Sequence, residues 1–278
     1  MFNPFKKIQN FASTLKRHRS APLHLEFVVS DYCNLNCKGC THYSPLAPKE
    51  FESLEQLERN AAHLGRISSG GKDLDSVYII GGEPLLYPGL PQAMNILRQY
   101  FPNCRILLFT NGLALPRMTE DFWASAHENN ITAAITRYPV KFDYDAAIKL
   151  CADKGVACEV FGDRTLKDSF FRFGLDPTKS QNRHLSHFKC YNYGCISVIG
   201  DRIYPCSISG CAGHLNKAAG NIFTHEAGDY LEVEEVKSLK QIKRLRDRPV
   251  PFCAYCKMPP DTVPYGPSKR DISEWIDK

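Results

Sequence analysis

An α/β fold, built as a (β/α) barrel or part of one and followed by a small C-terminal module of a β-hairpin plus a helix, is predicted by three observations. Short β-rich runs alternate with helix-length segments from Leu23 to Phe161, the order that builds a parallel sheet from βα units. That rhythm stops after Phe161, where a polar stretch, a hairpin signal and a charged helix take over. The chain of 278 residues is 43% hydrophobic and 23% charged, with 18 Gly and 18 Pro, a composition that excludes disordered, collagen-like and low-complexity classes. This length suits one large domain or a large one with a small appendage.

Residues 1–22 form a basic amphipathic segment. Phe2, Phe5, Ile8, Phe11 and Leu15 recur at three- and four-residue spacing, while Lys6, Lys7, Lys16, Arg17 and Arg19 fill other positions. The expectation is a helix whose apolar stripe packs on the parent domain, or a peripheral membrane contact through residues 1–20. From 23 to 165 the strand candidates are LHLEFVV (23–29), DSVYII (75–80), RILLFT (105–110), TAAIT (132–136) and ACEVF (157–161), with helices near 53–67, 89–100, 118–128 and 144–154. In such folds chemistry gathers at the carboxyl ends of the strands, so the segment after each strand is where functional residues are sought.

Residues 166–260 read as the smaller module. YGCISVIGDRIYPCSI makes two strands around Gly200-Asp201, and a charged helix near 235–247 is stopped by Pro249 and Pro251 before FCAYC. Residues 261–278 read as a polar tail. Lys and Arg exceed Asp and Glu by 35 to 30, too mild a bias to imply nucleic acid. The first twenty residues hold no apolar signal-peptide core, and no run of the chain is long enough for a membrane span. Twelve cysteines in a reducing cytoplasm point to metal or redox chemistry rather than disulfides.

Cys33, Cys37 and Cys40 follow the first strand in a C-x3-C-x2-C array. Three thiolates on one loop leave a cubane iron–sulfur cluster one ligand short, so one iron stays open to another ligand. A structural zinc site would want a fourth ligand, for which His42 is nearest. After the second strand comes YIIGGEPLLYP, where Gly81 and Gly82 let backbone groups approach closely and Glu83 adds a carboxylate able to hold an ammonium. The combination resembles the radical S-adenosylmethionine (SAM) superfamily over residues 23–165, and the resemblance implies a partial (β/α) barrel of that type.

Carried over residue by residue, the resemblance implies that Cys33, Cys37 and Cys40 hold a [4Fe-4S] cluster whose open iron is chelated by SAM. Gly81, Gly82 and Glu83 would meet the methionine amino group, and Thr110 and Asn111, in LLFTNG, match the family's ribose contact. Thr136 and Arg137, in AAITRYP, stand where the family places groups near the methionine carboxylate or the substrate. Gly39 departs from the aromatic or bulky residue that many members carry before the third cysteine. The cofactor supplies the chemistry: reductive cleavage of SAM to a 5′-deoxyadenosyl radical that takes a hydrogen atom from an unactivated C–H bond.

Downstream, Cys190, Cys195, Cys206, Cys211, Cys253 and Cys256 could form a zinc ribbon or an iron–sulfur site, since both accept four thiolates. The order of a cysteine, a β-hairpin, a cysteine in YPC, a helix and a terminal CxxC resembles the SPASM or shortened twitch module of radical SAM enzymes. SPASM holds two auxiliary clusters and needs more cysteines than remain, whereas twitch holds one. The resemblance therefore implies an auxiliary [4Fe-4S] cluster on Cys190, Cys206, Cys253 and Cys256. Five residues separate Gly200 from Cys206 where the SPASM pattern usually has four, which leaves Cys195 a competitor for Cys190. Cys195 and Cys211 otherwise read as packed thiols, as do Cys104, Cys151 and Cys158.

The resulting expectation is a radical SAM oxidoreductase that oxidises a sugar, polyol or cyclitol alcohol to a ketone, the auxiliary cluster accepting an electron. Arg137 and Tyr138 are the candidate catalytic residues at the barrel mouth, with Arg137 better suited to clamp an anion than to act as a base. Partners would be a small-molecule substrate and a reductant such as flavodoxin or ferredoxin. Epimerisation, dehydration or peptide modification could use the same parts, although no leader-peptide-binding domain is evident. A regulatory protein with two zinc sites would leave Gly81-Gly82-Glu83 and Thr110-Asn111 without a role.

Overall fold

The computed structural model describes residues 21–161 and 166–277; the N-terminal helix expected over residues 1–20 lies outside them. Five parallel strands, β1 (His24–Ser30), β2 (Ser76–Gly81), β3 (Arg105–Thr110), β4 (Ile131–Ile135) and β5 (Ala157–Val160), alternate with helices α1 (Leu54–Ile67), α2 (Leu90–Tyr100), α3 (Glu120–Glu128) and α4 (Tyr144–Asp153). These are the expected elements, within two residues at most ends. Strands β7 (Ser197–Ile199) and β8 (Arg202–Tyr204) form the expected hairpin around Gly200-Asp201. The hairpin adds to the free edge of β1, with β7 parallel to it, and the short β9 (Leu231–Glu232) completes an eight-stranded sheet in the order β5-β4-β3-β2-β1-β7-β8-β9. A largely parallel open sheet of this kind is a partial barrel.

The two faces of the sheet carry different side chains because a strand alternates sides at every residue. Leu25, Phe27 and Val29 of β1 join Val77, Ile79, Ile106 and Leu108 in the main apolar core under the helices. The helices meet that face with residues at helical spacing, for instance Leu90, Ala93, Met94 and Leu97 of α2. Cys104, Cys151 and Cys211 are buried, and Cys158 packs against the core from its edge. The opposite face of the sheet carries His24, Glu26, Tyr78, Ile80 and Phe109, which line a cavity of about 390 Å³.

Helix α5 (Arg183–Phe188) precedes the hairpin, and α6 (Ser207–Gly210), α7 (Ala212–Ala219) and α8 (Leu239–Asp247) follow it. The α8 helix is the expected charged one; Ser238 and Gln241 close a capping box at its start. The segment expected as a polar tail packs back onto the core. Its strand β10 (Asp261–Pro264) pairs antiparallel with β6 (Ser169–Arg172), and Trp275, 2% exposed, donates from Nε1 to the Cys40 carbonyl at 3.0 Å. Among the described residues no helix is long and apolar enough to cross a membrane.

Candidate active site

The loop that leaves β1 carries Cys33, Cys37 and Cys40 to the carboxyl edge of the sheet, where all three line the large cavity. Its backbone is held from two sides. On one, the chain after β2 comes so close that a Cβ at Gly81 would stand 2.2 Å from the Ser30 carbonyl and one at Gly82 2.3 Å from that of Tyr32. Gly82 N–H donates to Ser30 O at 2.6 Å and Glu83 N–H to Tyr32 O at 2.8 Å. The absence of side chains at these glycines thus serves the approach of the cysteine loop itself. On the other side the C-terminal segment clamps the loop: Lys38 N–H donates to Gly266 O at 2.9 Å, and Ser268 N–H to Asn36 O at 2.7 Å. Gly39 has φ +76°, a conformation that disfavours the bulky residue expected from the family pattern.

The three thiols sit in different electrostatic settings. Burial raises Cys33 far above the ordinary thiol range, with the Glu83 charge adding to it. Burial and the neighbouring Cys40 push Cys37 up to about 12, against a hydrogen bond from Tyr265. Desolvation acts on Cys40 too, but a hydrogen bond and charge from His42, with backbone N–H groups of Ser44 and His42, hold it below the ordinary value. His42 is raised in return: burial lowers it, but the Cys40 bond and charge outweigh that. His42 therefore serves one cysteine as a donor. Three thiols converging on one cavity fit a cluster with an open coordination position.

Glu83 is 1% exposed and caps the short turn Pro84–Leu86, its Oε1 accepting from Leu85 N–H. Thr110 Oγ1 donates to the same oxygen at 2.6 Å and Asn111 N–H to Oε2 at 2.8 Å. Burial raises its carboxyl to about 7, partly offset by these three hydrogen bonds. Thr110 and Asn111, expected at a ribose, thus orient Glu83, and Asn111 also reaches Asn34 on the cysteine loop at 2.7 Å. Thr136 and Tyr138 line the cavity. Arg137, between them in an extended stretch, faces the other way and pairs with Asp145 at 2.7 Å, so the expected anion clamp or catalytic group is turned out of the cavity.

The structure adds residues that sequence reading missed. Lys167 and Phe170 line the cavity; the ammonium lies 4.5 Å from the ring centroid of Phe170 and is lowered by burial, against the charges of Cys40 and Cys37. Phe170, Tyr138 and Tyr265 stack beside the cysteine loop, with centroids 5.7–6.0 Å apart. Tyr138 was expected at the site, whereas Lys167, Phe170 and Tyr265 come from the polar stretch after Phe161 and from the C-terminal segment, where the sequence carries no periodic signal. Only the aromatic content and a lysine near the end of the barrel pattern could have drawn attention.

Cys190, Cys206, Cys253 and Cys256 surround a second, much smaller cavity under the hairpin. Cys206 and Cys256 are raised above the ordinary range by burial, with the other thiols of the group contributing. Four sulfurs around one small space suit a four-thiolate metal or cluster site. Cys195 lines the large cavity instead.

A parallel sheet with three cysteines at its carboxyl edge and a buried Gly-Gly-Glu turn beside them defines the class. The radical SAM superfamily model matches residues 27–134, and this core is a radical SAM domain, which works with a [4Fe-4S] cluster and SAM. Among curated proteins, the GTP 3',8-cyclase of Syntrophomonas wolfei is 29% identical over 140 residues, 47% of this chain and 39% of that protein. The GTP 3',8-cyclase of Helicobacter pylori is 32% identical over 99 residues, 35% of this chain and 30% of that protein. The chain thus matches less than half the length of these relatives. Solved structures similar to it include BtrN in complex with AdoMet and 2-DOIA, at 17% identity and TM-score 0.48 over 84% of this chain and 92% of that one. Another is SuiB of Streptococcus suis bound to S-adenosylmethionine, at 23% identity and TM-score 0.36 over 59% and 41%.

Proposed function

We propose that this chain oxidises the alcohol of a sugar, polyol or cyclitol to a ketone, with the SAM-binding cluster on Cys33, Cys37 and Cys40 and an auxiliary [4Fe-4S] cluster on Cys190, Cys206, Cys253 and Cys256. The observation that carries the reading is the pairing of two unlike cysteine sites, three thiols facing a large cavity and four around a much smaller one. When bound, the first cluster with SAM supplies a hydrogen-abstracting 5′-deoxyadenosyl radical, and the second supplies an electron sink.

The chain's own residues bind and orient. Glu83 holds the ammonium of SAM through a charge-assisted hydrogen bond, its carboxylate aimed by Thr110 and Asn111. Thr136 contributes a hydroxyl at the cavity wall, and Gly81 and Gly82 keep the loop in place. Tyr138, Phe170 and Tyr265 wall off one side of the cysteines and exclude water there. Exposed Phe171 and Tyr191, their rings 5.0 Å apart, line the cavity too and offer a platform for the apolar face of a sugar ring. A small soluble reductant such as flavodoxin or ferredoxin would supply the electron, in the cytoplasm, and residues 1–20 would serve packing or a membrane contact.

Anaerobic incubation with reductant, SAM and a panel of sugars, polyols and cyclitols tests the reaction. A product lighter than its substrate by two hydrogens, with about one SAM used per turnover, is expected. An isomeric product would establish epimerisation and a product lighter by one water dehydration; either would replace the dehydrogenase reading.

A further inference from the structure

On the wall of the large cavity three potential ligands of different chemistry meet. One nitrogen of His24, one oxygen of Glu26 and the sulfur of Cys195 lie within 4.8 Å of one another. The first two stand on the inner face of β1 and the third just before β7, the strand that pairs with β1 and sets Ser197 opposite Glu26. Cys195, like the core-packed Cys211, is left out of the four-thiol cavity.

We propose that His24, Glu26 and Cys195 form a mononuclear site for a divalent transition metal, zinc by the nature of its donors, with a fourth position open to the cavity. Of the three, His24 is the one that the surrounding protein leaves without a partner. His24 is 9% exposed, and both of its ring nitrogens are buried without a hydrogen-bond partner, Nε2 standing 3.5 Å from Glu26 Oε1. The ring is fixed by stacking on Tyr78, with centroids 4.3 Å apart. Glu26 is 4% exposed, and among the described residues no Lys or Arg pairs with it. Buried carboxylates are ordinarily paired with a cation or bound to a metal.

Geometry and donor type agree with this assignment. Bonds of about 2.0–2.3 Å in a tetrahedral zinc site place ligand atoms roughly 3.3–3.8 Å apart. The His24–Glu26 pair is already at that separation, and the sulfur needs to close by no more than about 1 Å, within a side-chain rotation. Ser197 Oγ donates to Glu26 Oε2 at 3.1 Å, leaving Oε1 for the metal, as an outer partner does at many metal sites. Burial and the Glu26 charge hold the Cys195 thiol protonated. Metal binding would release that proton to solvent and convert the thiol to a thiolate ligand. Three protein ligands with one open position are the pattern of reactive rather than structural zinc, and the ligand class that fits the fourth position is an oxygen donor, water or a hydroxyl.

Cobalt(II) serves as the probe, added to anaerobically reconstituted protein whose two cluster sites are first filled with iron and sulfide. The expected result is one cobalt per chain beyond the iron, with a thiolate-to-cobalt charge-transfer band and the visible bands of four-coordinate cobalt. The charge-transfer band should vanish in Cys195→Ser. In Glu26→Gln and His24→Ala affinity should fall at least as far as the 10–100-fold that losing an outer-shell partner costs. Iron content and melting temperature report whether each variant is folded, and the wild-type spectrum is decisive even if one is not. Absence of cobalt binding in wild-type protein, or a spectrum without thiolate character, would overturn the site. So would loss of about four irons in Cys195→Ala, which would assign that thiol to the auxiliary cluster. The readout requires no SAM cleavage, so its failure leaves the proposed reaction untouched.

Discussion

The two cysteine sites are built by opposite means. The first is a loop of eight residues, Cys33 to Cys40, held by backbone hydrogen bonds to segments on either side and facing a cavity of about 390 Å³. The second gathers cysteines from α5's exit, the end of the hairpin and the turn Pro251–Tyr255 with its following residue around a far smaller space. The first site leaves room for a ligand next to its sulfurs; the second does not. Local backbone precision beside open space suits a reactive centre, whereas four converging sulfurs with no neighbouring room suit a centre that only exchanges electrons.

Changes confined to one site should break this contrast in different ways. The largest effect is expected from replacing Cys33, Cys37 and Cys40 together by Ala. Reductive SAM cleavage should fall to background while about four irons per chain remain on the second site, as read by 5′-deoxyadenosine and iron assays. Retained cleavage would place the SAM cluster elsewhere. Replacing Cys253 and Cys256 by Ala should instead spare 5′-deoxyadenosine formation and remove ketone, because hydrogen abstraction would proceed with no acceptor for the electron. Equal loss of both products would make the second site structural.

A smaller effect concerns Glu83, whose buried carboxyl is raised from 4.5 to about 7. A raised acid favours folding in its protonated form, so its contribution is full below about pH 4.5, falls as pH rises to about 7 and is level above. Over that window wild type should lose up to about 3 kcal/mol relative to Glu83→Gln, at 1.36 kcal/mol per pKa unit, measured by denaturant unfolding at pH 5 and pH 7. The same variant should bind SAM about tenfold more weakly at neutral pH, since a neutral amide gives up the charge-assisted bond. Parallel stability profiles in the two proteins would mean the carboxyl is not raised.

The contrast also marks what was legible in the sequence. Strands β1 to β5 and the helices between them announce themselves because each buries one face, and a period of two or 3.6 records that burial locally. The Cys33–Cys40 spacing and Gly81-Gly82-Glu83 are local for the same reason. What escaped depends on distant pairing. β10 meets β6 across some ninety residues, and Trp275, Gly266 and Ser268 reach back to the cysteine loop from a stretch that looks polar and irregular. Arg137 fell on the wrong face because the alternation of an extended chain was not followed beyond the end of β4. His24 and Glu26 were hidden by an apparently continuous strand: every residue of β1 is buried, but the inner face is buried by a cavity lining rather than by core.

Reductive cleavage of SAM by iron-loaded wild-type protein tests the central claim most directly. Anaerobically purified protein should carry iron and sulfide in roughly equal amounts, about eight of each per chain for two cubane clusters, and should form 5′-deoxyadenosine and methionine when supplied with SAM and a strong reductant. Protein that takes up zinc in place of iron under those conditions, and yields no 5′-deoxyadenosine, would contradict it.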